Sequence, residues 1–77
     1  MPDVTVRQEE IGHYIITMEI KNALDFSYYN VGLYYLHDDG TCGNPINNNV
    51  YTIHEKKKAT ACFNRYKRKV KSWIGEV

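Results

Sequence analysis

Glu55-Lys56-Lys57-Lys58-Ala59-Thr60-Ala61-Cys62-Phe63-Asn64-Arg65-Tyr66-Lys67-Arg68-Lys69-Val70-Lys71-Ser72-Trp73-Ile74 is the stretch with the longest clean period in the chain. Ala59, Cys62, Phe63, Tyr66, Val70, Trp73 and Ile74 recur at helical spacing and share one stripe about 120° wide. Eight Lys and Arg occupy the remaining faces. One side of such a helix needs a surface to cover. The spacing predicts a helix from 54 or 55 to Gly75, which supplies a C-terminal stop, with Lys71 near the negative end of the dipole. Thr52 and Glu55 have capping-box spacing. Starting the helix at Ile53 would turn that side chain away from the stripe, so Thr52 and Ile53 are assigned to a strand.

The rest of the chain must supply the covered surface. Residues 4–9 alternate apolar and polar, and a glycine-containing turn at Glu10-Ile11-Gly12 follows. Residues 13–20 form the clearest strand, with Tyr14, Ile16, Met18 and Ile20 on the face that meets the core. The short connection implies a hairpin. Residues 21–27 lack a period, and Leu24 and Phe26 are expected to plug the sheet edge. Residues 28–37 are apolar on both faces, as in a central strand, with Val31, Leu33 and Tyr35 opposing Tyr34 and Leu36. Gly32 marks a bulge or a close backbone approach. Residues 38–49 carry Asp-Gly, Gly-Asn, Asn-Pro and a triple Asn, all turn signals, and are expected to form a loop, either a tight turn followed by irregular chain or one long hairpin loop. Val50 to His54 then makes a short strand, with Tyr51 and Ile53 on one face. The fold class is α+β: an antiparallel sheet of three or four strands in β-β-β-β-α order, with the long amphipathic C-terminal helix on one face.

Seventy-seven residues make one small domain that buries about 60–65% of its unfolded surface. The net charge of +1 conceals a division. Residues 1–54 hold two bases against seven acids, a balance of −5, and residues 55–77 hold eight bases against two acids, a balance of +6. That division suits a dipolar surface or self-complementary copies, and lacks the overall positive charge of a general nucleic-acid binder. Cys42 and Cys62 are too few for a disulfide framework, and Cys62 lies on the apolar stripe as a small hydrophobe. A reduced, cytoplasmic setting is expected. No signal peptide or membrane-length apolar run is read, so no membrane is expected.

Candidate chemistry is sparse. Lys57, Arg65, Arg68 and Lys71 lie most nearly opposite the stripe and could meet phosphates or an acidic protein, or form a solvated face balancing an acidic sheet. Tyr34, with Tyr28 or Tyr51, is a candidate for an open aromatic face. Asp38, Asp39 and the three asparagines at 47–49 form a candidate acidic and polar contact loop. His37, His54 and Cys42 lack paired metal-ligand spacing, and Asp38, Asp39 and Asn44 lack a calcium-loop pattern, so neither a metal nor any cofactor is expected. No phosphate loop, nucleophile elbow or Cys–His pair suggests an enzyme.

At Val50-Tyr51-Thr52-Ile53-His54-Glu55-Lys56-Lys57-Lys58-Ala59 the chain resembles small phage-encoded accessory proteins that join a short strand to a Lys-rich amphipathic helix. In style it is similar to single-domain inhibitors of host defence such as anti-CRISPR proteins. The resemblance covers about a third of the chain and implies a stoichiometric, non-catalytic inhibitor or adaptor of a larger protein or ribonucleoprotein. Two alternatives stand beside it: a nucleic-acid-binding module using Lys57, Arg65, Arg68 and Lys71, and a homo-oligomer joining acidic and basic surfaces.

Overall fold

The structure, a computed structural model, describes residues 4–75. Four strands, β1 (Val4–Ile11), β2 (Tyr14–Asn22), β3 (Ser27–Leu36) and β4 (Cys42–Thr52), precede a single helix, α1 (Lys56–Trp73). The strands pair in chain order as an antiparallel meander. Helix α1 covers one face, so the fold is α+β with an open sheet. The described chain spans 41 × 27 × 16 Å, a slab two layers thick.

Register assigns the faces, because directly opposed residues point the same way. Ile16 pairs with Leu33, Met18 with Val31 and Ile20 with Tyr29. Below α1 these meet Ala59, Cys62, Phe63, Tyr66 and Val70, and Phe63, Ile16, Leu33 and Val31 are fully buried. The helical stripe therefore packs as expected through Val70. Trp73 and Ile74 stay part-exposed at 45% and 37%. Trp73 reaches Tyr14, with ring centres 5.4 Å apart. The helix ends with Gly75 at φ +82°, its N–H donating to the Ser72 carbonyl, a backbone that glycine adopts without strain.

Several expectations are corrected. The expected loop at 38–49 shrinks to a tight turn. His37 N–H donates to the Thr41 carbonyl and Gly40 N–H to the His37 carbonyl, while Asp39 accepts from both the Thr41 N–H and hydroxyl. Beyond it, β4 runs eleven residues through the Asn-Pro and triple-Asn signals. It tolerates them as an edge strand, with Pro45 at a break in register. The helix starts at Lys56, one or two residues later than expected. The Thr52–Glu55 pairing closes the preceding turn instead: Thr52 N–H donates to Glu55 Oε1 at 3.0 Å and Glu55 N–H to the Thr52 carbonyl.

On β1, a bulge between Thr5 and Arg7 shifts the alternation by one residue. Arg7 and Glu9 consequently face the helix. The Arg7 guanidinium lies 4.7 Å over the Phe63 ring, and Glu9 pairs with Lys67 at 2.8 Å. Leu24 and Phe26 do not plug the edge. They sit on the β2–β3 connection, 102% and 63% exposed, because a four-residue turn offers nothing to cover them. At Gly32 the close approach comes from a side chain. A Cβ there would lie 2.7 Å from the Tyr34 ring, which rests across Gly32 on the open face.

Candidate protein interface

The turn from β2 to β3 builds one corner of the molecule. Ala23 N–H donates to the Phe26 carbonyl at 2.8 Å, and the Ser27 hydroxyl donates to Asn22 Oδ1 at 2.6 Å. The closed base pushes Leu24 and Phe26 outward. Phe26 packs on Tyr28 with the rings tilted and their centres 5.8 Å apart. Tyr28 pairs with Thr52 across the sheet, so the end of β4 and the strand-to-helix junction complete the wall. The result is an open groove of about 680 Å³ lined by Phe26, Tyr28, Val50, Tyr51, Ile53 and neighbours. Val50 is 58% exposed. Large apolar side chains gathered around one concavity mark a contact surface more strongly than singly scattered ones.

Glu55 sits at the rim. The hydrogen bond from the Thr52 N–H is the main cause that holds its carboxyl at a pKa of about 2, and Lys58, 3.0 Å away, adds to it. This carboxylate is committed as an acceptor and stays charged near neutrality. Deeper in, between β4 and α1, lies a polar seam. Asn49 Nδ2 donates to the Tyr66 hydroxyl at 2.9 Å and touches Cys62 Sγ at 3.5 Å. Burial pushes Tyr66 up to about 12, with Cys62 adding to the rise. The neighbouring Cys62 also raises Tyr51. The Tyr51 side chain beside the Arg65 guanidinium is in turn the main cause that raises Arg65.

The expected site residues separate. Lys57, Arg65, Arg68 and Lys71 are exposed on α1, but Lys57 and Lys71 lie about 21 Å apart along its axis. Tyr34 and Tyr28 are on the open face, whereas Tyr51 faces the helix, opposite Tyr29. Asp38 and Asp39 lie at the other end of the slab from the groove, near the β1–β2 turn, where His13 approaches Asp38 at 3.9 Å. They share no loop with the asparagines, which belong to β4. Of these, Asn49 turns to the helix, and Asn48, opposite Gly32, turns to the open face. At the Asp38 end Tyr14, Tyr35, His37 and Trp73 form a chain of ring contacts. Among the described residues no three His, Cys, Asp or Glu side chains converge as a metal site requires. No helix there is long and apolar enough to cross a membrane.

Fold and surface together define a small open-faced α+β domain with an apolar corner. Compared with protein-family models, curated proteins and solved structures, the chain matches none.

Proposed function

We propose that this domain is a non-catalytic interaction protein, an adaptor or inhibitor in type, whose Phe26–Val50 corner docks on a larger protein or ribonucleoprotein. The observation that carries this is the exposure of Phe26 in the groove wall, with Leu24 exposed on the same turn. In a domain this small, large apolar side chains left outside the core forgo stabilisation of about 1.5–3 kcal/mol each. Aromatic anchors beside a concavity are what protein interfaces use as energetic centres. A non-catalytic role is supported by the groove's chemistry. Its lining carboxylate, Glu55, is already engaged by Thr52 and Lys58, and a carboxyl near pKa 2 is a poor proton shuttle at neutral pH.

Capture from the cells that make the protein, with and without nuclease, tests this. A discrete protein complex that survives nuclease is expected. Recovery of nucleic acid alone would contradict it.

One observation favours a second reading, binding of single-stranded nucleic acid. Tyr35 and Trp73 are 41% and 45% exposed, with Lys69 5.7 Å over the Trp73 ring. Bases could stack there. Binding to oligonucleotides with a steep salt dependence supports this reading, and no binding at about 50 mM salt removes it.

A further inference from the structure

The two edges of the sheet are unlike. On β1, a bulge follows Thr5, and Arg7, Glu9 and Glu10 interrupt the strand with charge, as guarded edges do. From Cys42 to Thr52 β4 carries no charged side chain. Its irregularities are confined to the first part, where the register breaks around Tyr34 and Pro45. From Asn47 to Thr52 pairing with β3 is continuous. Among the described residues no strand lies beyond β4, so this regular segment presents unpaired backbone groups along its outer side.

What flanks that edge selects an occupant. On the helix side Arg65 lies beside Tyr51. The Lys69 ammonium lies 3.3 Å from the side-chain oxygen of Asn47, with the amide oriented to accept from it. These cations are one helical turn apart, about 6 Å. Neither meets a carboxylate among the described residues. On the opposite side the same strand shows Val50 and Asn48, both uncharged and exposed. A strand added to β4 would place alternate side chains under Arg65 and Lys69 and the intervening ones beside Val50 and the groove.

We propose that residues 47–52 are a strand-addition site for an extended segment of a protein partner in which Asp or Glu alternates with apolar residues. This rests on the protein-binding reading above and specifies its mode. A second copy is a poorer occupant. Antiparallel pairing of β4 with itself puts both helices on one face of the joined sheet and sets Arg65 and Lys69 against their own equivalents.

Two synthetic peptides, one alternating glutamate with valine and one alternating lysine with valine, test the proposal on the full chain. The glutamate peptide is expected to slow amide exchange within residues 47–52 and to bind about tenfold more tightly than the lysine peptide. The double substitution Arg65→Glu, Lys69→Glu, at exposed helix positions, is expected to invert that preference, with circular dichroism confirming the fold. Unchanged β4 exchange, equal affinity for the two peptides, or a preference indifferent to charge reversal would overturn it. So would a concentration-dependent dimer protected at β4. If the peptides fail while capture through Phe26 succeeds, strand addition falls alone. If capture fails while the glutamate peptide binds at β4, the groove reading falls and the edge assignment stands.

Discussion

At the scale of single residues, Glu55 ties the last strand to the helix through its contacts with Thr52 and Lys58. Its lowered pKa fixes the sign of a pH effect. The charged form is favoured in the folded state, so the contribution is complete above the ordinary carboxyl value of 4.5. It is lost as pH falls through about 2. The Thr52 amide resonance should titrate in that acid range, and Glu55→Gln should abolish the titration while the helix persists. Tyr66 acts at the other extreme. Its raised pKa favours the neutral hydroxyl on folding, so stability is full below the ordinary value of 10 and declines as pH rises through about 12. Ultraviolet titration should show Tyr66 ionising late, and Asn49→Ala, which strips its partner, should cost about 1–2 kcal/mol in denaturant unfolding. Gly32 presents a steric constraint. Gly32→Ala should drive the Tyr34 ring off the open face, at a cost of about 1–3 kcal/mol, visible as displaced Tyr34 ring resonances.

At the scale of elements, α1 is the keystone. Phe63 is fully buried against the sheet and lies under Arg7. Phe63→Ala should cost about 3–5 kcal/mol in chemical denaturation, a large share of what so small a domain possesses. The helix was legible because its apolar stripe repeats over four turns, a signal no strand or loop imitates. β2 was legible from its apolar face at period two, and β3 from being apolar on both faces. Of β4 only the end, from Val50 to Thr52, was legible, since Gly43, Asn44, Pro45 and the three asparagines each favour turns when weighed locally. Pairing with β3 overrides those preferences, and an edge position spares Pro45 the hydrogen bond it cannot make. The helix-facing charges of β1 were hidden by a bulge that shifts the face without leaving a mark in composition. The groove was hidden for a different reason. Leu24 and Phe26 suggested burial by their chemistry, and only the closed turn between Ala23 and Phe26 shows that they point outward. Their lack of any period was the available sign that no element could enclose them.

At the scale of the whole molecule, the division of charge between sheet and helix is met by few contacts. Glu9–Lys67 is the ion pair joining sheet to helix among the described residues. The positive exterior of α1 and the apolar corner thus remain as separate surfaces, one at each side of the strand-to-helix junction. Electrostatic attraction through the helix would govern encounter and salt dependence, whereas the corner would govern lifetime of a complex. The corner, and not the outward charges Arg68 and Lys71 of the helix, is expected to hold the partner. Side-by-side capture of the wild-type chain, Phe26→Asp and the double variant Arg68→Glu, Lys71→Glu tests it most directly. Phe26→Asp is expected to lose the captured protein by about thirtyfold or more, and the helix variant to retain it. Retention by Phe26→Asp with loss by the helix variant would contradict it.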